Sequence, residues 1–225
     1  MMSRTKLADR ILPKYTKGEE IFNMVSHIIG AILGIVATVM CIMLAAFHNN
    51  IYGIVGGAIY GITMVILYTM SSIYHGLSPK LLSKKVFQVL DHCSIFLLIA
   101  GSYTPFVLVS IREYDSIAAW VIFGIIWFMA ILGIVLNAID IKKFKKFSMM
   151  CYIIMGWTIV IKANILPTVL GITGFTLLLS GGITYTIGAI LYGIGKKYKY
   201  IHSVFHLFIL AGSILHFLCI IMYIM

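Results

Sequence analysis

Seven long apolar stretches limit what this chain can fold into. Each is long enough for an α-helix to cross the roughly 30 Å hydrocarbon core of a bilayer, which takes about 20 residues. They run over Ile21–Ala46, Tyr52–Tyr74, Val86–Ser110, Ile117–Ile139, Phe147–Leu166, Val169–Ile194 and Ile201–Met225. This pattern predicts an all-α, polytopic membrane protein, in which a seven-transmembrane-helix bundle over residues 21–225 follows an N-terminal tail of residues 1–20.

The composition excludes a water-soluble fold. Hydrophobic residues make up 61% of the 225 residues and charged residues 11%, against about 45–50% and about 25% in soluble globular domains. The net charge of +10 would suggest nucleic-acid binding in a soluble protein. Here the basic residues lie in short loops beside apolar stretches, where we expect them to face an anionic membrane surface. The expected partners are therefore membrane lipids, including a lipid substrate, and not nucleic acid.

The basic residues also predict an orientation, because short cytoplasmic loops are rich in Lys and Arg. Fifteen of the 17 fall in the tail and in the second, fourth and sixth loops, while Arg112 and Lys162 fall on the other side. The fifteen are Arg4, Lys6, Arg10, Lys14, Lys17, Lys80, Lys84, Lys85, Lys142, Lys143, Lys145, Lys146, Lys196, Lys197 and Lys199. We therefore expect a cytoplasmic N-terminus and an external C-terminus, opposite to a G-protein-coupled receptor. A retinal protein is excluded, because the last stretch has no lysine for a Schiff base.

Ionisable residues inside apolar stretches are costly, so each one is a candidate for a functional site. Four stretches carry such residues, or polar neighbours of them, at the predicted cytoplasmic end. They are Glu20, Asn23 and His27 at the first stretch, His75 at the second, Asp91 and His92 at the third, and His202 and His206 at the seventh. Carboxylate and imidazole groups from distant parts of the chain are thus predicted at one depth of the bilayer.

The spacing of two histidines indicates a metal site. His202 and His206 are four residues apart, which places them about 40° apart around a helix and about 6 Å apart along its axis. Such a pair can bind one metal ion, with His75 as a third ligand and Ser71 one turn away on the same face. Asp91 could bind the metal through a water, orient that water or accept its proton. Three protein ligands plus water are typical of catalytic zinc (Zn²⁺), although imidazole also suits iron, copper or nickel.

Some of these histidines have a structural interpretation. A pair at this spacing also arises by chance, and histidines at span ends commonly anchor helices at the lipid headgroups. For His27 and His92 the two interpretations are equally supported. His216 lies ten residues beyond His206, about 15 Å further along a helix. It is therefore predicted to form an interhelical hydrogen bond and not to bind the same metal.

Three blocks of sequence carry a resemblance to a known family. They are EIFNMVSHIIG at 20–30, SSIYH at 71–75 with DHCSIFLLIAGSYTPF at 91–106, and HSVFH at 202–206 running on to Gly212, His216 and Phe217. In order and spacing the chain resembles bacterial hemolysin III proteins. That family is related to the progestin and adipoQ receptors, which include the adiponectin receptors. The resemblance covers nearly the whole chain.

The resemblance implies a seven-helix bundle in the bacterial plasma membrane, with the N-terminus inside and zinc near the cytoplasmic face. The three zinc-binding histidines of the family fall on His75, His202 and His206. Its aspartate, linked to the metal through water, falls on Asp91, and its nearby serine falls on Ser71. The wider superfamily includes alkaline ceramidases, which hydrolyse a lipid amide, whereas the family name records cytolytic, pore-forming activity.

Three functions are compatible with the sequence. The first is a zinc-dependent hydrolase of a lipid amide or ester, in which Asp91 is the general base and Ser71 supports the water or the oxyanion. The second is a cytolytic pore, which the family name supports, although no ring of charges marks a permeation path. The third is a receptor-like regulator whose structural zinc holds the second, third and seventh stretches together. The sequence does not indicate an oligomeric state.

Overall fold

The computed structural model of the protein describes residues 5–195 and 198–225, and within these residues every regular element is helical. Six helices are long and apolar enough to cross a membrane. They are α1 (Lys17–Phe47), α2 (Ile51–Gly76), α3 (Leu82–Pro105), α4 (Ser116–Trp157), α5 (Leu166–Ile194) and α6 (Ile201–Tyr223). Short 3-10 turns lie at Leu7–Asp9 and Thr158–Lys162, a π-helical segment at Phe106–Ile111 and one α-turn at Arg112–Tyr114. The prediction of an all-α, multi-pass membrane protein is confirmed.

Side-chain caps determine where the first helix begins. Thr16 Oγ1 accepts a hydrogen bond from Glu19 N at 3.3 Å, and Glu19 Oε2 accepts one from Thr16 N at 2.8 Å. This reciprocal pair satisfies backbone donors that a helix start otherwise leaves free. As a result α1 begins at Lys17, upstream of the apolar stretch predicted from Ile21.

The fourth and fifth predicted stretches are joined in α4, so the structure has six such helices where seven are predicted. The backbone of α4 leaves the helical region at Asp140, with φ −163° and ψ 100°. The helix doubles back at Asp140, as an ion pair between its two ends shows. Asp115 precedes the first residue of α4, Lys162 lies just beyond the last, and Lys162 Nζ donates to Asp115 Oδ2 at 2.8 Å. A straight helix of 42 residues would separate its ends by roughly 63 Å. Near the bend, Ser148 Oγ donates to Asn137 Oδ1 at 2.6 Å.

The loops gather at two ends of the bundle. We call the end that carries residues 5–16 the tail end, and there Thr5 N donates to Asp140 Oδ2 at 2.8 Å. The opposite end holds the Asp115–Lys162 pair and Arg112, whose guanidinium group lies 3.6 Å from the centre of a tyrosine ring. This grouping agrees with the predicted separation of the basic loops from Arg112 and Lys162. Three of the fifteen basic residues, Arg4, Lys196 and Lys197, lie outside the described residues.

A close approach of α1 and α2 places their tail-end residues side by side. A Cβ atom at Gly30 would lie 2.4 Å from the ring of Tyr68, so only glycine allows this ring to lie against α1. The same ring meets His27, one turn closer to the tail end, edge to face at a centroid distance of 4.9 Å. The packing of the two helices therefore directs His27 toward the interior of the bundle.

Candidate metal centre

Three histidines converge at the tail end of the bundle. His75 lies near the end of α2, and His202 and His206 lie in the first two turns of α6. One ring nitrogen from each lies within 4.8 Å of the others, and the Nε2 atoms of His202 and His206 are 3.1 Å apart. All three residues are buried. The structure thus brings together the three histidines that the sequence singles out.

The arrangement of nitrogen atoms fits a metal ion. With Zn–N distances of about 2.0–2.1 Å, two ligands of a tetrahedral site lie about 3.3 Å apart, close to the 3.1 Å between His202 and His206. An N–H···N hydrogen bond would also explain that pair. It would, however, leave Nε2 of His75 buried without a hydrogen-bond partner among the described residues. Such burial is costly, and a metal ion shared by the three rings would satisfy them together, so the three histidines could bind a metal.

An ion pair between partly exposed Glu20 and buried Lys84 sets the orientation of His75. Glu20 Oε2 lies 2.7 Å from His75 Nδ1, and Lys84 Nζ donates to Glu20 Oε1 at 2.6 Å and to Leu77 O at 2.9 Å. A carboxylate only accepts hydrogen bonds, so Nδ1 carries a proton, and in a neutral imidazole Nε2 then has the lone pair that a metal ion needs. Lys84 is predicted as a loop charge, but it lies in the first turn of α3 and is buried.

His27 of α1 lies next to the three histidines, because its ring contacts that of His206. Its ring centroid lies 3.9 Å from that of His206. The residue is buried, and neither ring nitrogen has a hydrogen-bond partner in the described part of the chain. His27 is not one of the three residues whose nitrogens share the 4.8 Å group. Its buried position does not fit the headgroup-anchor interpretation.

A cavity of about 900 Å³ opens beside the histidines. Its volume lies within the range of about 300–1,000 Å³ that small-molecule sites occupy. The wall includes Ser71, Asp91, His202 and His206, so both predicted catalytic residues share the cavity with two of the three histidines. His75 lies against the ring of His206, at a centroid distance of 4.9 Å. Apolar side chains from several helices line the space between these groups, among them Leu67, Ile95, Leu98, Ile99 and Ile209.

The two remaining histidines of the predicted set have hydrogen-bond partners. On the cavity wall, His92 Nδ1 lies 2.8 Å from Gln88 O, and its Nε2 lies 3.2 Å from the Tyr192 hydroxyl. His216 Nε2 lies 3.2 Å from Leu178 O of α5. The prediction of an interhelical hydrogen bond at His216 is confirmed.

The chain is similar along most of its length to known proteins. A family profile described as "Haemolysin-III related" matches residues 15–217, a range that contains the three histidines, Ser71 and Asp91. The chain belongs to the haemolysin-III-related family.

Two bacterial relatives are similar to this haemolysin-III-related chain over nearly their whole length. "Hemolysin-3" of Bacillus cereus is 41% identical over 208 residues, which cover 92% of this chain and 92% of the relative. "Hemolysin-3 homolog" of Bacillus subtilis (strain 168) is 37% identical over 209 residues, covering 93% and 96%. The human "Monocyte to macrophage differentiation factor" is 25% identical over 214 residues, covering 92% and 85%. The predicted relation to hemolysin III and to the progestin and adipoQ receptor family is confirmed.

One residue of the tail contacts the histidines of this haemolysin-III-related protein. The ring of Tyr15 is stacked on His202, with a centroid distance of 4.8 Å and an interplanar angle of 18°, and it lies 5.7 Å from the ring of His75. Burial, reinforced by nearby acidic side chains, raises the pKa of Tyr15 above its ordinary value, so its hydroxyl stays neutral at physiological pH. Tyr15 lies outside every apolar stretch, and no spacing in the sequence marks it.

Proposed function

We propose that this haemolysin-III-related protein is a membrane-embedded, zinc-dependent hydrolase that cleaves an acyl amide or acyl ester bond of a lipid. The observation that carries the proposal is the convergence of three buried imidazoles beside a cavity lined by the helices and the N-terminal segment. Three imidazole ligands with room for a water are typical of catalytic zinc, which is the metal that we propose for this site. When bound there, zinc would polarise the carbonyl oxygen of the substrate and lower the pKa of water.

The residues of the chain supply the remaining parts of this chemistry. Asp91, a partly exposed carboxylate on the cavity wall, would accept a proton from the attacking water and return it to the leaving group. Ser71, one helical turn before His75, would donate a hydrogen bond to the carbonyl oxygen as negative charge develops there. Glu20 would hold His75 in the tautomer that the site requires.

The cavity wall supports an acyl chain as part of the substrate. Leu67 of α2 and Ile95 and Ile99 of α3 belong to the wall of the same cavity, to which they contribute aliphatic side chains. Burying a methylene group against such a surface stabilises a bound ligand by about 0.8 kcal/mol. A lipid chain would thus be held while its polar bond is placed near Asp91 and the histidines.

The hydrolase proposal is tested with purified, zinc-loaded protein and a panel of N-acyl amides and acyl esters, with released fatty acid measured by mass spectrometry. We expect wild-type protein to release fatty acid. Asp91→Asn should lower the rate by about 10²-fold or more, the range for loss of a general base, while bound zinc stays at the wild-type level. If zinc-loaded wild-type protein releases no fatty acid from any member of the panel, the hydrolase proposal fails. Histidine variants that then lower only thermal stability would support a receptor-like regulator with structural zinc.

We further propose that the chain crosses the bacterial plasma membrane seven times, with a cytoplasmic N-terminus and an external C-terminus. The bend at Asp140 supports two crossings by α4, and the basic residues support the orientation. Glu113 and Lys146 are exposed, while the native cysteines are buried. In intact cells a membrane-impermeant maleimide should label Glu113→Cys, and should label Lys146→Cys only after permeabilisation. The reverse pattern would overturn the orientation.

A second candidate function is membrane permeabilisation. It rests on the name "Hemolysin-3" of the Bacillus cereus relative, which is 41% identical to this chain. Dye release from vesicles containing the protein tests it, with Asp91→Asn beside wild type. Leakage that is equal for the two proteins would support a pore, whereas leakage no greater than that of empty vesicles at every dose would dismiss it.

A further inference from the structure

The tail carries a partly buried cationic side chain, that of Arg10, which the proposed chemistry does not use. Nε and Nη1 of Arg10 are buried and have no hydrogen-bond partner among residues 5–195 and 198–225. The four ion pairs of this part of the chain do not include Arg10. Shielded donors of a charged group are costly to leave without partners, because their desolvation is not offset by hydrogen bonds. The two unpartnered guanidinium nitrogens of Arg10 are thus available to an anionic ligand.

Arg10 lies on the wall of the cavity that contains the histidines. The planar guanidinium group presents its N–H donors in a fork that matches a carboxylate or a phosphate. The segment that carries it is fastened to the bundle, since Thr5 N donates to Asp140 Oδ2 at 2.8 Å and Lys85 Nζ donates to Ala8 O. The guanidinium group is therefore held at the cavity by backbone contacts on its N-terminal side.

The charges around Arg10 favour an anion. Four further basic residues lie on the cavity wall, namely Lys14, Lys142, Lys145 and Lys199. The acidic residues of the wall are three, Asp9, Glu19 and Asp91. Glu19 accepts hydrogen bonds from Thr16 and from Tyr200 N, so it is already engaged. The wall thus has an excess of positive charge, which raises the local concentration of anions.

From these observations we infer that the cavity binds a single-chain amphiphile, with its anionic group on Arg10 and its acyl chain against the apolar wall. Leu98 and Ile209 belong to the same cavity as Arg10, so one ligand can contact both surfaces. A carboxylate and a phosphate monoester share the required chemistry. The inference rests on the proposed function in so far as this amphiphile is the substrate or a product, but binding can be measured without turnover.

The test is equilibrium binding of radiolabelled twelve-carbon probes to detergent-purified protein. The probes are dodecanoate, dodecyl phosphate and uncharged dodecanol, with inorganic phosphate as a competitor. Arg10→Gln should weaken binding of the two anionic probes by about tenfold or more, the effect of losing hydrogen bonds to a charged group. Dodecanol binding should not change. Lys6→Gln is the matched control, because Lys6 lies in the same segment but is exposed.

Comparison of the two anionic probes distinguishes a carboxylate ligand from a phosphate ligand. The probe whose head group fits the site better should lose more affinity in Arg10→Gln. Equal weakening of dodecanol, or no change with any probe, would overturn the inference. If inorganic phosphate competes as strongly as dodecyl phosphate does, the acyl chain does not contribute to binding. That result would overturn the proposal of an amphiphilic ligand and would indicate a site for a simple anion.

His206→Ala separates this inference from the proposed function. Anion binding that depends on Arg10 should persist in this variant. Binding that is lost in His206→Ala and unaffected in Arg10→Gln would place the anion at the histidines and overturn the inference, with the hydrolase proposal unaffected. Arg10-dependent binding by a protein that cleaves no lipid would leave the inference standing after the hydrolase proposal had failed.

Discussion

Glu20 of α1 accepts a hydrogen bond from His75 of α2, with 2.7 Å between Oε2 and Nδ1. The other carboxylate oxygen of Glu20 accepts a hydrogen bond from Lys84 of α3 at 2.6 Å. One carboxylate thus joins three helices and fixes the tautomer of an imidazole in the candidate metal centre. The orientation of His75 therefore depends on the packing of the bundle and not on α2 alone.

Glu20→Gln should weaken metal binding. Glutamine keeps the size of the side chain but presents a weaker acceptor to His75 Nδ1. We expect the affinity for zinc to fall by about 10- to 100-fold, as is typical when the hydrogen-bond partner of a metal-binding histidine is changed. The measurement is competition with a fluorescent chelator. Glu113→Gln, an exposed site at the opposite end of the bundle, is the control, and equal affinities of wild type and Glu20→Gln would contradict the role of Glu20.

The Glu20–Lys84 ion pair, which joins α1 to α3, should also stabilise the folded protein. The side chain of Lys84 is 1% exposed, so Glu20→Gln leaves a buried ammonium group without its counter-ion, which costs about 3–5 kcal/mol. Replacing both residues, in Glu20→Gln/Lys84→Met, should recover part of this loss. Unfolding of detergent-purified protein is measured for wild type, Glu20→Gln, Lys84→Met and the double variant. A double variant whose loss equals the sum of the single losses would exclude a coupled pair.

Tyr15 should slow the exchange of metal at the site. Its ring is stacked on His202, and such ring contacts contribute about 0.5–1.5 kcal/mol, which corresponds to a two- to tenfold effect on a rate. We therefore expect Tyr15→Ala to accelerate removal of the metal by a chelator, whereas Tyr15→Phe should behave as wild type because it keeps the ring. If Tyr15→Phe is as fast as Tyr15→Ala, the stacking is not what protects the site.

Asp115 should make stability depend on pH in the acid range. Its hydrogen bonds from Lys162 and from Ala118 N lower the pKa of this carboxyl group, so the charged form is favoured in the folded protein. A lowered pKa contributes stability above the unfolded value of about 4, and this contribution is lost as the pH falls through the folded value. Asp115→Asn, which can still cap α4, should lower the thermal midpoint slightly at pH 7. The difference from wild type should shrink as the pH falls below about 4 and vanish once Asp115 is protonated in the folded protein. A difference that stays constant over this acid range would contradict the role of the charge.

Local spacing in the sequence is sufficient to predict part of the candidate metal centre, namely the pair His202 and His206. His202 and His206 are neighbours on one face of α6 whatever surrounds them, because four residues make about one helical turn. Their separation of 3.1 Å is thus a property of the helix as much as of the fold. His75 could be added because it is an ionisable residue at the same end of another apolar stretch.

Other parts of the site depend on contacts that no local pattern shows. His27 meets His206 only because α1 and α6 approach each other, and Lys84 is a loop charge by composition but a buried ion-pair partner in the structure. Tyr15 and Arg10 belong to a segment without apolar periodicity, and its path over the cavity is set by contacts with distant residues. The sequence likewise does not distinguish the bend at Asp140 from an ordinary loop, because the chain is helical on both sides in either case.

The central claim is that His75, His202 and His206 bind one zinc ion, and the metal content of purified protein tests it most directly. Wild type should carry about one zinc per chain by elemental mass spectrometry, and His202→Ala/His206→Ala should carry none while remaining folded. His216→Ala, which removes a buried histidine of the same helix outside the cluster, should keep the metal. Folded wild-type protein that carries no zinc, or a double variant that still carries one zinc per chain, would contradict the account.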